Sequence, residues 1–206
     1  MMSRENLYRR FDYARRYGFS IDGAAPWTGY VAKPGSHDDG AYHGPFLGGL
    51  GSGTFSRDLS GRFSRWHLQP GLHVAQTIPQ ARLLCRWSNA GGEAGSRWIG
   101  VGEAPGWGDY RPSAPGFAEN ARHYAVLFPE CFERYDDPEL PFRLLLRYWS
   151  PLVFGDEAAS SMPVVYFSLH VENQSDTPLD FAAAFFWPNL LGWRNSRVPS
   201  VDRGDN

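Results

Sequence analysis

Short apolar runs broken by turn residues constrain this chain more than any other feature. From residue 54 onward, stretches rich in leucine, β-branched and aromatic side chains are bounded by Gly, Pro, Asn and Asp. We predict strands at 54–57, 62–68, 81–87, 123–128, 142–149, 164–173 and 179–187. Strands in succession without helices between them indicate an antiparallel β-sandwich, so the sequence predicts an all-β fold with long loops.

The last two predicted strands flank a turn at Asn173–Pro178. Proline cannot donate to a strand ladder, so Pro178 ends one strand and does not continue it. We therefore predict a hairpin of two long antiparallel strands. Trp149 and Trp187 lie inside strand runs, and we expect both to pack in the sandwich.

The first residues have a different pattern. Leu7, Phe11 and Ala14 follow helical spacing within residues 3–17, which predicts a short basic amphipathic helix. Such a helix can lie on a membrane surface, but we expect it to dock on its own protein. We assign 1–40 to an N-terminal arm and loop, and 41–206 to the sandwich domain.

Two Gly- and Pro-rich segments, 22–53 and 88–120, are predicted as loops.

The formal net charge of −2 argues against a nucleic-acid partner, because domains that bind nucleic acids are usually strongly basic. No stretch reaches the ~18 apolar residues of a membrane span. The N-terminus has no apolar segment of a signal peptide, so we expect a cytoplasmic protein.

Cysteine and histidine give little sign of chemistry. Cys85 and Cys131 lie in apolar runs, which predicts buried free thiols. His67 and His73 are separated by the Pro70–Gly71 turn, so we expect structural histidines. We expect neither a metal ion nor a cofactor.

Carboxylates cluster between residues 130 and 139, among two prolines, and this density predicts a solvated turn; the cluster comprises Glu130, Glu133, Asp136, Asp137 and Glu139. Glu103 and Asp109 lie in the second long loop without an evident partner. Hydrolysis by paired carboxylates requires two of them to converge on one bond. The residues themselves therefore reveal no complete catalytic apparatus.

The sequence GGLGSG at 48–53 superficially resembles a dinucleotide-binding loop. A strand-like segment follows it, whereas that loop precedes a helix, and the Gly-Lys-Ser/Thr of a phosphate loop is missing. We predict a backbone turn in which Gly48, Gly49, Gly51 and Gly53 provide positive φ angles and close approach of another segment.

Aromatic residues make up 16% of the chain, which suits either a β-rich core or a sugar-stacking surface. Trp98 and Trp107 lie in a predicted loop, where packing and exposure are both open. Together with Trp66, they are the candidate stacking platform.

Residues 48–71 resemble the N-terminal domain of glycoside hydrolase family 116, the family of the non-lysosomal glucosylceramidase. The matching positions are Gly48, Gly49, Leu50, Gly51, Gly53, Arg57, Gly61, Phe63, Arg65, Trp66, Pro70 and Gly71. Further family segments extend the resemblance over residues 40–195, including Ser150-Pro151-Leu152 and Val171-Glu172-Asn173.

The resemblance implies a β-sandwich packed against a C-terminal (α/α)6 barrel that holds the acid/base Asp and nucleophile Glu of a retaining β-glucosidase. We expect the chain to end before that barrel and before the sandwich is complete, so no catalytic residue carries over. The expected role is a non-catalytic domain supporting the barrel, where a β-glucoside or glucosylceramide-type substrate binds. The alternative is a free-standing carbohydrate-binding sandwich.

One segment is expected to lie at that domain interface. Arg65, Trp66 and His67 follow the glycine run and are predicted to face the barrel. Gln69, Trp98 and Trp107 are further candidates for substrate or interface contacts.

Overall fold

The computed structural model describes residues 3–23, 44–104, 106 and 114–190, and strands dominate it. The elements in chain order are α1 (Arg4–Tyr17), β1 (Phe19–Asp22), β2 (Phe46–Gly48), β3 (Thr54–Arg57), β4 (Phe63–Gln69), β5 (Leu72–Ala75), β6 (Arg82–Asn89), β7 (Ala94–Trp98), a 3-10 turn (Glu119–Ala121), β8 (Arg122–Leu127), β9 (Glu130–Tyr135), β10 (Phe142–Trp149), α2 (Glu157–Ser160), β11 (Tyr166–Asn173) and β12 (Leu179–Phe186).

The strands form three sheets. A five-stranded sheet has the order β1-β8-β9-β10-β11, a four-stranded sheet the order β2-β3-β4-β5, and a three-stranded sheet the order β12-β6-β7. Every pairing between these strands is antiparallel. The predicted all-β antiparallel sandwich is therefore confirmed.

All the predicted strands are present, but several others were read as loop or turn. β2 lies in the predicted loop 22–53, and β7 in the predicted loop 88–120. β7 consists of Ala-Gly-Ser-Arg-Trp, which carries little apolar signal. The prediction of a solvated turn at 130–139 is wrong in its first half, because β9 spans that part and is almost entirely buried.

The main core lies between the five-stranded sheet and the other two. Alternate residues of β10 point into it, and they are Phe142, Leu144, Leu146 and Tyr148. Phe142 meets Trp87 of β6 at 5.2 Å between ring centroids. Phe63 of β4 and Phe167 of β11 meet at 6.2 Å. Burial of these large side chains is the main driving force for joining the layers.

The predicted hairpin of the last two strands is wrong. β11 pairs with β10, whereas β12 pairs with β6, so the turn between them crosses from one layer to the other. Phe167 and Phe185 face each other across the core, with ring centroids 5.2 Å apart. The turn is closed locally, since Asn173 Nδ2 donates to the Thr177 carbonyl at 2.7 Å.

The predicted N-terminal helix is confirmed as α1, and it packs on the outer face of the five-stranded sheet. Leu7, Phe11 and Ala14 are buried there, against a small cluster that includes Phe132 and Leu145. Arg10 Nε donates to Glu130 Oε2 at 2.8 Å, which ties the helix to β9. Within the described ranges, no helix combines the length and apolar character that a membrane crossing needs.

A second polar tie holds the start of α1. Tyr8 donates to Glu172 Oε2 at 3.1 Å, and Arg4 pairs with the same carboxylate. Partial burial raises the pKa of Glu172, but the Tyr8 hydrogen bond and the Arg4 charge outweigh it and hold the pKa below its usual value. The carboxylate therefore stays charged where it anchors the helix.

Trp149 does not lie in the core, contrary to expectation. It is on the outer face of β10, stacked on Tyr166 at 5.3 Å between centroids. The Arg147 guanidinium lies 3.8 Å from the Trp149 ring centroid. Strand periodicity explains the difference, because Trp149 alternates with the inward-facing Tyr148.

A fully buried ion pair links the layers. Arg57 ends β3, Glu133 lies in β9, and both side chains have no exposed surface. Arg57 Nε donates to Glu133 Oε1 at 2.8 Å, and Nη2 donates to Oε2 at 3.1 Å. This two-point geometry is the strongest form of arginine–carboxylate pairing.

The remaining polar atoms of the pair also have partners. Arg57 Nη2 donates to the carbonyl of Ile99 at 2.5 Å, and Nη1 donates to that of Gly61. Tyr135 donates to Glu133 Oε2 at 2.5 Å. Burial alone would lower the pKa of Arg57, but the Glu133 charge and hydrogen bonds, together with Tyr135 and Tyr148, outweigh it and raise the pKa, so the guanidinium remains protonated.

Glu133→Gln is expected to destabilise the domain by about 3–5 kcal/mol, because it leaves the Arg57 charge buried without a counter-ion. Urea unfolding monitored by tryptophan fluorescence measures the change. Glu5→Gln on α1 is the matched control, since Glu5 pairs with Arg9 at an exposed site. Exposed pairs contribute little, so the control should unfold like the parent chain. Equal midpoints for the two variants would contradict the role assigned to the buried pair.

Candidate functional site around the glycine-rich turn

The glycine-rich turn joins β2 to β3. Gly48 of β2 pairs with Thr54 of β3, and residues 49–53 close the hairpin. Gly48, Gly51 and Gly53 have φ angles of +135°, +74° and +95°. These are backbone conformations that residues with a Cβ rarely adopt.

The turn is seated on residues 150–163, which we call the 150–163 loop. The amide of Gly48 donates to Ser150 Oγ at 2.7 Å. The amide of Leu50 donates to the Ser160 carbonyl at 2.8 Å. Two backbone donors of the glycine turn are therefore satisfied by the loop beneath it.

Gly49 lies closest to that loop. A Cβ at this position would be 2.4 Å from the Ser161 carbonyl oxygen and 2.5 Å from that of Met162. Neither distance is compatible with van der Waals contact, and both obstacles are backbone atoms. Gly49 is therefore required for close approach.

The 150–163 loop has its own internal hydrogen bonds. Ser160 Oγ accepts from the Val153 amide at 3.0 Å and donates to the Val153 carbonyl at 3.1 Å. Asp156 caps α2 by accepting from the Ala159 amide at 2.9 Å. These bonds hold the loop in one shape, so the glycine turn rests on an ordered base.

An exposed apolar surface surrounds the seated turn. Its members, which we call the apolar patch, are Leu50, Leu152, Val153, Phe154 and Met162. Phe154 projects fully into solvent, and the other four are 40–59% exposed. Exposed apolar side chains on two segments that are hydrogen-bonded to each other are typical of an interaction site.

A groove runs beside the turn between the layers. Its cavity volume is about 300 Å³, and its lining is mostly apolar, from Gly48, Gly53, Phe55, Leu68, Val165, Phe167, Phe185, Trp187 and Leu190 among others. Trp187 forms one wall and is 37% exposed. Its ring centroid lies 4.9 Å from that of Phe55 and 5.6 Å from that of Trp66. The expected packing of Trp187 is thus only partial.

The residues singled out after the glycine run lie at different depths. Arg65 and Trp66 are buried, with 4% and 0% exposure. His67 is half-buried, and Gln69 is exposed. Trp66 Nε1 donates to the Gln76 carbonyl at 2.9 Å, so its polar edge is satisfied inside the domain.

Of the two loop tryptophans, Trp98 ends β7 and is completely buried. Its Nε1 donates to the Gly102 carbonyl at 2.9 Å. Trp107 lies outside the described residues. Neither Trp66 nor Trp98 offers a ring face to solvent, and a sugar needs such a face for stacking.

Arginines engage the carboxylates of β9 and of the turn that follows it. Glu130 lies between Arg10 and Arg147, and Asp136 forms an ion pair with Arg134, whose Nε lies 2.8 Å from Asp136 Oδ2. Glu133 is held by Arg57, as described above. Asp137 Oδ1 accepts from the Glu139 amide at 3.0 Å, which closes a turn.

Of the two carboxylates of the second predicted loop, Glu103 belongs to the described residues. Glu103 is exposed. Asp109 lies outside the described residues. Within the described part of the chain, the β9 carboxylates thus serve as structural partners of arginine.

The two thiols are buried and free, as the sequence predicts. Burial raises the pKa of Cys85 to about 12 and that of Cys131 well above its usual value. A thiol nucleophile must be deprotonated near neutral pH, so neither cysteine is suited to that role. In the described ranges, no group of three or more His, Cys, Asp or Glu side chains gathers around a common point.

Sequence reasoning did not select the apolar patch. The sequence pattern that could have identified it is the run Pro-Leu-Val-Phe-Gly at 151–155, where apolar residues lie outside any predicted strand. An apolar run ending at a glycine and followed by a short capped helix indicates an ordered loop that presents its side chains outward.

The chain matches the model of a known protein family. Residues 44–206 match the family model described as beta-glucosidase 2, glycosyl-hydrolase family 116 N-term. The matched segment begins just before β2 and includes the glycine turn, the 150–163 loop and both faces of the sandwich.

Gly49→Ala is expected to destabilise the domain by about 1–3 kcal/mol, because its methyl group would overlap two backbone carbonyls. Gly51→Asn is the control, since Gly51 faces open space and asparagine accepts a left-handed backbone better than most residues. Urea midpoints of the two variants measure the difference. A Gly49→Ala protein as stable as Gly51→Asn would show that the turn is not seated as described.

Proposed function

This chain belongs to glycosyl-hydrolase family 116, as its N-terminal domain, and we propose that it is the non-catalytic sandwich that packs against and supports the catalytic barrel of a β-glucosidase or glucosylceramidase-like enzyme. The acid/base and nucleophile carboxylates belong to that barrel. In the described part of the chain, Glu130 and Glu133 form ion pairs with arginines, so they serve the fold and not a reaction. This observation favours a structural role for the domain.

The observation that carries this proposal is the apolar patch on a rigid base. Domain interfaces bury aromatic and methionine side chains at their centre and exclude charge from it. Phe154 and Met162 supply such side chains, and the glycine turn holds Leu50 beside them. We assign the barrel as the occupant of this surface.

Among the residues that follow the glycine run, the buried ones are proposed to support the interface from inside the domain. Trp66 is packed under the groove, where it supports Phe55 and Trp187. His67 and Gln69 retain exposed surface and lie on the same hairpin. We propose that this hairpin borders the interface, while Arg65 and Trp66 fix its position.

The substrate is proposed to be a β-glucoside, of the glucosylceramide type or simpler, bound in the barrel of a cytoplasmic protein. A division into an arm at 1–40 and a sandwich at 41–206 fits the matched range 44–206. The arm includes α1, whose buried face adds to the stability of the sandwich.

The free-standing sugar-binding alternative would have to rest on Trp107, because Trp66 and Trp98 are buried.

Phe154→Ser in the longer protein that carries both domains is expected to weaken their association. The side chain is fully exposed here, so its loss should not unfold the sandwich itself. Calorimetry should show the sandwich and the barrel unfolding in separate transitions, and aryl β-glucoside hydrolysis should be lost at a lower temperature.

Phe128→Ser is the matched control, because Phe128 is also exposed but lies between β8 and β9 beside α1. It should leave both the coupled transition and the activity unchanged. If Phe154→Ser behaves like Phe128→Ser, the apolar patch is not the barrel interface.

A further inference from the structure

The hairpin formed by β4 and β5 brings two histidines together. Trp66 pairs with Val74, and Gln69 with Leu72, so His67 and His73 come to lie side by side on adjacent strands. Their ring centroids are 4.3 Å apart with an interplanar angle of 70°. The Pro70–Gly71 turn separates the two histidines in the sequence, and in the structure it folds β5 back along β4 so that they meet.

The contact between the rings is made by ligand atoms. Nδ1 of His73 and Nδ1 of His67 meet directly. A neutral imidazole nitrogen carries either a proton or a lone pair, so the two atoms can share a proton or bind a common cation. Converging imidazole nitrogens are a donor set suited to zinc, copper and nickel.

The surroundings leave His73 open to solvent and restrain the ring of His67. His73 is exposed, so an ion can reach the pair from solvent. The edge of the Phe46 ring packs on His67 at 4.7 Å between centroids and 86° between planes, which restrains the His67 ring. A restrained ligand next to an accessible one is a preorganised chelate.

We propose that His67 and His73 form a bidentate site for a late first-row divalent metal ion such as Zn²⁺. Tetrahedral zinc with zinc–nitrogen bonds of about 2.0–2.1 Å holds two nitrogens about 3.3 Å apart. The two Nδ1 atoms must therefore separate from their direct contact to admit the ion, which rotation of the exposed His73 side chain allows. Within the described part of the chain, no third His, Cys, Asp or Glu side chain joins the pair to form a larger metal-binding group.

Metal binding at this position would clamp the hairpin. β5 is an edge strand of the four-stranded sheet, and its pairing with β4 is interrupted by a register shift between Trp66 and Gln69. The ion would join the two strands across that irregular stretch. An ion that binds only the folded chain raises its unfolding temperature, and the effect should fade at acidic pH as protons compete for the imidazoles.

The test is Zn²⁺ titration of the full chain by isothermal calorimetry after treatment with EDTA. We expect one ion per chain and a higher unfolding temperature with Zn²⁺. His73→Asn should weaken binding at least tenfold and abolish the temperature rise. His67→Asn should do the same, since a chelate needs both rings.

The variant His170→Asn is the matched control, because His170 lies in β11, which belongs to a different sheet from β4 and β5. It should bind Zn²⁺ like the parent chain. Unfolding in EDTA shows whether each variant folds. The electron paramagnetic resonance spectrum of bound Cu²⁺ should show two equivalent nitrogen ligands in the parent and fewer in His73→Asn.

Three results would overturn the proposal. The first is no Zn²⁺ binding by the parent chain. The second is unchanged affinity in a folded His73→Asn protein. The third is loss of binding in a folded His170→Asn protein with retention in His73→Asn, which would place the metal elsewhere.

Discussion

The buried pair of Arg57 and Glu133 is the contact on which the arrangement of the three sheets depends. It joins the end of β3 to the middle of β9, and the Ile99 carbonyl after β7 completes the guanidinium's hydrogen bonds. A fully buried pair tolerates little displacement, since any unmade hydrogen bond carries a full desolvation penalty. Gly61 shows how tightly the pair is enclosed, because a Cβ there would lie 2.8 Å from Arg57 Nη2.

That constraint reaches the proposed interface along a single strand. Arg57 fixes the last residue of β3, and the glycine turn leads into the first residue of that strand, Thr54. The turn then docks on the 150–163 loop, which follows β10, a neighbour of β9. The apolar patch is thus carried by two segments whose strands are anchored by the same core. A surface held in this way can pack against a partner domain without first being ordered, which lowers the entropic cost of association.

Sequence patterns predicted the elements that are defined by residues close to one another in the chain. β10 and β12 are apolar runs, α1 has helical spacing, and the glycine run has the composition of a close-packed turn. β9 escaped prediction because Glu130 and Glu133 resemble solvent-facing residues until Arg10, Arg57 and Arg147 are brought to them by the fold. The crossing between β11 and β12 was missed because a hairpin and an interlayer turn share the same polar, proline-containing sequence. The contact between His67 and His73 depends on hairpin register, which the spacing alone does not define.

The most direct test of the account is hydrolysis of an aryl β-glucoside by the purified 206-residue chain, compared with the longer protein that carries the catalytic domain. The account predicts activity in the longer protein alone, because the sandwich provides support and no reacting group. Hydrolysis by the 206-residue chain itself would contradict it. Glu103, which is exposed, and Asp109, which lies outside the described residues, would then be the first residues to replace.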